Sequence, residues 1–378
     1  MLPLLTAAPE TTVPFLDLVA PHRALEAEFV AAFRRALESA TFVGGVEVAA
    51  FEREFAAFIG SPGAVAVNSG TDALRFAYQA LGVRPGDEVI TVPNTFIATT
   101  EALTQAGATI RFVDVREDTL TLDPEAAAAA VGSRTVGIVP VHLYGQMAQM
   151  DPLLELAARR GLWIVEDAAQ AHGACDHERR AGTMGALGAF SFYPGKNLGA
   201  CGEAGAVVGR SEAHLDTVRR LREHGQSRKY VHETEGYNGR MDAIQAAFLR
   251  IKLRRLPEWN AGRRRAAELY RKALVDVPEV RLPIERPGAV HVYHLFVIRV
   301  ERRDALQQHL GARGIGTGLH YPVPLHLQTA YAGLGLGVGS FPVTEAAARD
   351  ILSLPMFPEL TADQIGIVAD AIRDFYRS

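Results

Sequence analysis

Apolar positions in residues 22–40 (HRALEAEFVAAFRRALESA) recur three and four apart, and Phe51 to Phe58 resume that helical spacing after the Gly44-Gly45 break. Beyond them the period alternates. Val65–Asn68, Glu88–Val92 and Thr109–Val115 read as strands, with helices over Thr71–Leu81 and Phe96–Ala106 between them. Asp123-Pro124 opens another helix with Asp123 as its cap, and Val136–Leu143 and Trp163–Val165 read as buried strands flanking a helix near Pro152–Arg160. Strands rich in β-branched residues that alternate with helices predict an α/β fold, its mostly parallel sheet covered on both faces.

After Asp167 the rhythm changes. Ala189–Tyr193 and Ala204–Val208 read as strands joined by a glycine-rich segment with no room for a helix. Long helices are expected over Met241–Leu256 and Trp259–Val275, with arginines on their outer faces. The last third reads as a separate α+β unit: a strand over Val292–Val300, then helices over Asp304–Arg313, Thr344–Leu352 and Ala362–Tyr376. The Pro/Gly-rich stretch Pro278–Gly288 is the expected boundary region.

Composition narrows the classes. The 378 residues are 48% hydrophobic and 22% charged with a net charge of -4, which suits a globular chain with a substantial core and argues against a nucleic-acid or membrane surface. Two cysteines, Cys175 and Cys201, point to a reducing compartment. The opening MLPLLTAAPETTVPF lacks a basic start and is interrupted by Pro3, Pro9 and Glu10, so it reads as a tail and not a signal peptide. No uncharged apolar run approaches the roughly 18 residues that span a bilayer. A cytoplasmic protein is expected.

Four segments carry candidate chemistry. In Gly188-Ala-Phe-Ser-Phe-Tyr-Pro-Gly-Lys-Asn-Leu-Gly199 one lysine follows a buried strand, where desolvation lowers its pKa and makes the neutral amine available to a carbonyl. A P-loop is excluded by the Gly188–Gly195 spacing and by Asn197 after the lysine, whereas a surface lysine in a turn stays open. Asp167 ends a strand in Trp163-Ile-Val-Glu-Asp-Ala-Ala-Gln170, where open sheets place ligands; it suits a pyridine-nitrogen partner, a helix cap or a Mg²⁺ ligand. Ser69-Gly70-Thr71 opens a helix and suits either a phosphate or simple capping. Phe96, at a further strand-to-helix junction, is either a ring-stacking face or a core residue. The order of the four, with Ser191 five residues before Lys196, meets the needs of pyridoxal phosphate (PLP) at phosphate, ring face, ring nitrogen and aldehyde.

On these residues the chain resembles the nucleotide-sugar aminotransferases of DegT/StrS type, within PLP fold type I. The resemblance runs from Val13-Pro-Phe-Leu-Asp17 to the last helix. Its specific stretches are Asn68–Leu74, Pro93–Thr99, Val141–Gly145, Glu166–Gly173, Ser191–Gly199, Gly236–Asp242 and His320–His326. It implies a large PLP-binding domain with a mostly parallel mixed sheet between helices over residues 36–255. It also implies a smaller C-terminal α+β domain over 256–378, and an N-terminal segment over 1–35 that associates with the latter.

The resemblance also implies roles. Lys196 would form the internal aldimine and shuttle the proton, Asp167 would face the ring nitrogen, Gln170 the ring hydroxyl, and Phe96 one ring face. Gly70, Thr71, Asp72 and Ser191 would bind the phosphate, joined by Asn238 from a neighbouring subunit in a homodimer with shared sites. Tyr193, Lys229 (from the partner), His320 and Tyr321 would touch the sugar or its pyrophosphate, although Arg228-Lys229 also suits a solvated turn. The implied reaction takes an amino group from glutamate, through pyridoxamine phosphate, to a nucleotide-linked 3-keto sugar. A 4-keto-sugar or cyclitol aminotransferase, a PLP-dependent sugar dehydratase and a non-catalytic PLP-binding regulator stand as alternatives. No metal site is expected, since His291 and His294 would face opposite sides of a strand.

Overall fold

The computed structural model describes residues 12–377, so the reading of the first eleven residues as a tail lies outside the described residues. Its centre is a seven-stranded sheet of β1 (Gly63–Val67), β2 (Glu88–Thr91), β3 (Thr109–Phe112), β4 (Thr135–Ile138), β5 (Trp163–Asp167), β6 (Leu187–Ser191) and β7 (Gly205–Gly209). In space the order is β1-β7-β6-β5-β4-β2-β3. Only β7 runs against the rest, pairing antiparallel with both β1 and β6. The mostly parallel mixed α/β sheet expected from the sequence is therefore present. The 192–204 connection between β6 and β7 holds no helix, so it returns the chain antiparallel instead of crossing over as parallel strands require.

The helices of this part are α1 (Glu26–Ser39), α2 (Gly45–Ile59), α3 (Gly70–Ala80), α4 (Ala98–Gln105), α5 (Pro124–Ala130), α6 (Met150–Arg160), α7 (Glu212–Arg222) and α8 (Ala243–Leu253), and α9 (Leu256–Leu274) runs on from it into the second core. On one face Phe51 and Phe55 of α2 meet Phe190 and Phe192 edge-on, with ring centroids 5.1–5.3 Å apart. On the other, Leu74 and Phe76 of α3 pack with Val165 and Val207. Each of these rings and chains leaves water almost completely, which stabilises the fold by roughly 1.5–3 kcal/mol per side chain relative to exposure.

A second core gathers Tyr270, Phe296, Ile298, Leu306, Ile372 and, from the N-terminal segment, Val13. Its sheet sets β8 (Phe296–Val300) between Val280–Arg281 and β9 (Ile351–Leu354), with α10 (Arg303–Ala312), α11 (Pro342–Asp350) and α12 (Ala362–Arg377) around it. Among the described residues no helix is long and apolar enough to cross a membrane.

Two local readings need correction, and one helix went unread. The helix expected over Thr344–Leu352 stops at Asp350, and Ile351–Leu354 is a fully buried strand paired with β8. Four apolar or small residues that alternate poorly fit either state, and pairing across the sheet decides it. The strand expected over Val292–Val300 begins only at Phe296, because Val292 N–H donates to Gly145 O and Leu295 N–H to Tyr144 O in a loop with Tyr293 at φ +42°. His291 and His294 are thus not on opposite faces of a strand: His291 stacks on Tyr293 at 3.9 Å, and His294 faces a cavity. Helix α7 was not anticipated at all. Its sequence EAHLDTVRRLR buries only Leu215 and Val218, and the strongest signal is Ser211, whose Oγ caps His214 N–H.

Candidate active site

The carboxyl ends of β5 and β6 and the start of α3 border one cavity of about 590 Å³, within the range that holds a cofactor-sized ligand. Gly70, Thr71, Phe96, Asp167, Gln170, Ser191, Tyr193, Lys196, His320 and Tyr321 all line it. Three predicted site residues do not. The Asp72 carboxylate turns to Arg75 on its own helix, while Lys229 and Asn238 are exposed elsewhere on the surface.

The α3 start is built for close approach. Ser69 caps the helix by accepting Asp72 N–H at 3.1 Å, leaving the first-turn N–H groups to face the cavity with the positive end of the helix dipole. Gly70 is obligatory there, since an added Cβ would sit 2.5 Å from Ser191 Cβ at the end of β6. The result is a small anion cradle walled by the Ser191 hydroxyl.

Asp167 is buried at the end of β5. Its Oδ2 accepts from Thr99 Oγ1 at 2.7 Å and its Oδ1 from Ala169 N–H at 3.2 Å. Burial raises its pKa, against the pull of those hydrogen bonds and of Lys196. Behind it, the wholly buried Glu166 accepts from His142 Nε2 (2.8 Å) and from the backbone N–H groups of Gly182, Met184 and Gly185. Burial opposes its charge, yet these donors hold its pKa below the ordinary carboxylate range. His142 Nδ1 accepts Ala148 N–H, so Nε2 carries the proton given to Glu166. This network locks the end of β5 to the turn that precedes β6.

Lys196 sits in the β6–β7 connection, its N–H bonded to Tyr193 O at 2.8 Å. Burial lowers its pKa to about 8, with Asp167 opposing. Gln170 is oriented by Tyr144, whose N–H donates to Oε1 at 2.7 Å; the amide NH₂ then faces Tyr321 OH at 3.3 Å and the cavity. Tyr144 reaches that amide through a left-handed backbone, φ +61°. Phe96 is 54% exposed beside Tyr321, ring centroids 5.7 Å apart, so it is a cavity wall and not a core residue. His320 stacks on Phe15 at 5.6 Å, bonds Ser353 Oγ through Nδ1, and is brought down to a pKa of about 4 by burial and by Lys196.

Residues without an assigned role in the sequence also line the cavity, among them Phe15, Thr99, Glu203 and His294. Thr99 was visible as a hydroxyl three positions beyond Phe96 at a helix start; His294 was hidden by its reading as a strand residue. Among the described residues no cluster of histidine, cysteine, aspartate or glutamate could hold a metal ion.

Comparison with known proteins accords with this arrangement. Residues 23–373 match the family model described as the DegT/DnrJ/EryC1/StrS aminotransferase family. The dTDP-3-amino-3,4,6-trideoxy-alpha-D-glucose transaminase of Streptomyces venezuelae is 50% identical over 363 residues, covering 96% of each chain. The crystal structure of S. venezuelae DesV in complex with a ketimine intermediate superposes with a TM-score of 0.95 at 49% identity, covering 97% of this chain and 99% of that one. The Bacillus subtilis protein NtdA, crystallised with bound cofactor PMP, has a TM-score of 0.90 at 29% identity, with coverage of 97% and 86%.

Proposed function

The chain belongs to the DegT/DnrJ/EryC1/StrS aminotransferase family, and from that premise we propose that it uses PLP held at Lys196 to aminate the 3-keto group of a nucleotide-linked deoxysugar. The observation that carries this reading is the convergence of the Lys196 amine and the buried Asp167 carboxylate on one cavity that ends in an anion cradle. The residues present fit the cofactor. Asp167 is a buried carboxylate short of a cationic partner, Lys196 Nζ makes no hydrogen bond among the described residues, and a Cβ at Gly70 would fill the phosphate cradle.

When bound, PLP supplies an electron-withdrawing ring that stabilises charge on the carbon beside the transferred nitrogen. Asp167, steadied by Thr99, keeps the ring nitrogen protonated. The first turn of α3, with Gly70, Thr71 and the Ser191 hydroxyl, holds the phosphate. The Gln170 amide would donate to the ring oxygen and Phe96 would cover one face. Lys196 would hold the aldehyde and, as a free amine, would carry the proton between adjacent carbons.

Glutamate is assigned as donor, and the relative from S. venezuelae makes a dTDP-linked 3-keto sugar the first candidate acceptor. His320, Tyr321 and Tyr193 border the outer cavity and suit sugar and pyrophosphate contacts. Lys229 and Asn238 are assigned to the cavity of a second subunit. The exposed apolar side chains Val30, Phe33, Leu37, Phe42 and Val46 support such a homodimer. The test is incubation of the PLP-loaded protein with glutamate and a panel of dTDP- and UDP-linked 3-keto and 4-keto sugars, read by mass spectrometry. Amination of 4-keto sugars alone overturns the 3-keto assignment, and no amination of any sugar overturns the whole reading.

A further inference from the structure

His294 borders the cavity from the loop before β8, and the sequence gives it no role. Its ring is held from two sides. Asn197, the residue after Lys196, donates through Nδ2 to Asn260 Oδ1 (2.9 Å) and Val292 O (3.0 Å), which fixes its amide so that Oδ1 is an acceptor. That oxygen lies 3.2 Å from His294 Nδ1, so Nδ1 carries the proton. Arg263, buried in α9, donates to the backbone oxygens of Tyr293, His294 and Met356 and pins the loop from below. Nδ1 is occupied and the ring lines the cavity, so Nε2 is the nitrogen presented to it, as a bare lone pair.

Burial keeps this imidazole neutral, with its pKa far below the usual histidine value, and the Lys196 and Arg263 charges push the same way. The groups that act on Lys196 are therefore the Asp167 carboxylate, which raises its pKa, and three imidazoles held neutral. Glu203, Tyr193 and Tyr321 border the same space. His320 and His294 differ in one respect. The Nδ1 partner of His320 is the Ser353 hydroxyl, which can donate or accept, whereas the partner of His294 can only accept. Of these two, His294 alone has its tautomer fixed, and it is fixed by the neighbour of the lysine.

We propose that His294 is a positioning residue for proton transfer: held as its Nδ1–H tautomer by Asn197, it offers Nε2 as the acceptor for the Lys196 amine, whose arm must swing from the unbonded position it takes here to reach it, and so aims that amine while it stands free of the cofactor. The inference rests on Lys196 being the proton carrier. His294 itself gains and loses no proton; it receives an N–H of the amine or ammonium while the lysine lone pair takes the proton from one carbon and returns it to the next. An acceptor that prefers the charged amine raises the lysine's affinity for a proton against the desolvation that lowers it.

Two amide variants test this, because asparagine reaches only the Nδ1 position and glutamine the Nε2 position. The first readout needs no turnover: the pH dependence of the rate at which the apoprotein takes up PLP into its visible band, which follows the neutral fraction of Lys196. With the wild-type midpoint near the lysine's value of about 8, His294→Asn is expected to move it lower by about one unit and His294→Gln to keep it. The second is the rate of reaction with α-deuterated glutamate, expected to fall about tenfold to a hundredfold in His294→Asn, with a larger isotope effect, and to recover in His294→Gln. An unmoved midpoint with an unchanged isotope effect in His294→Asn overturns the proposal, as does identical behaviour of the two variants. If no visible band forms even in the wild type, the reading of Lys196 fails instead.

Discussion

Thr99 Oγ1 donates to Asp167 Oδ2 at 2.7 Å, and Thr95 Oγ1 lies 2.8 Å behind it, so the carboxylate at the end of β5 is steadied from the first turn of α4. Both hydroxyls are buried. Thr99→Val keeps the shape and removes the donor. Its loss should weaken PLP retention and lower kcat about tenfold, the equivalent of one hydrogen bond to a charged group at about 1.5 kcal/mol. PLP titration followed by absorbance checks the first and steady-state rates the second; an unchanged rate separates Thr99 from the function of Asp167.

Asp167→Asn should keep a measurable fraction of the bound cofactor, since the α3 cradle and Lys196 remain. Activity should fall by at least about a hundredfold, because a neutral amide does not hold the ring nitrogen protonated. Single-turnover rates with glutamate decide this, and a rate near wild type contradicts the proposed partner.

Lys196→Ala should show no visible band from lysine-bound PLP, no borohydride-fixed label, and no turnover. A stability effect accompanies the loss. The folded pKa is depressed from 10.5 to about 8, so the folded apoprotein binds fewer protons than the unfolded chain between those values. Stability attributable to this group therefore rises as pH climbs from 8 to 10.5, and below 8 the buried ammonium is a net cost. Lys196→Met apoprotein should accordingly melt a few degrees above wild-type apoprotein at neutral pH, with the gap closing in alkali. Thermal melts across that range test the sign.

Glu166→Gln leaves four donors facing one neutral amide. It should destabilise the fold by about 3 kcal/mol, read by urea unfolding. The folded pKa of Glu166 lies below 4.5, so its contribution is complete above the unfolded value and disappears as pH falls through the folded one. Acid sensitivity in that window should shrink in the glutamine variant.

Much of this is legible in the sequence. The strand–helix alternation revealed the parallel sheet, because strands buried on both faces must be apolar throughout. Lys196, Asp167, Gly70 and Phe96 announced themselves at strand ends and helix starts, where ligands bind. What stayed hidden depends on contacts between distant segments. Ile351–Leu354 becomes a strand because β8 lies beside it. Residues 292–295 stay irregular because their N–H groups are taken by the Tyr144 turn, and this alone brings His294 to the cavity. The Glu166–His142 pair left no periodic signal, since both ends are wholly internal.

The β6–β7 connection leaves and re-enters the sheet interior within one hairpin, and a Cβ at Gly199 would lie 2.2 Å from Pro194 O. The backbone under Lys196 is thus a fixed bearing with no slack to give. On the proposed role of Lys196, what would travel is the four-carbon arm alone, swinging about χ angles on a stationary mount. Lengthening or loosening that mount, for example by inserting a residue between Gly199 and Gly205, should blur the stroke of the arm and slow the chemistry while leaving the surrounding strands in register.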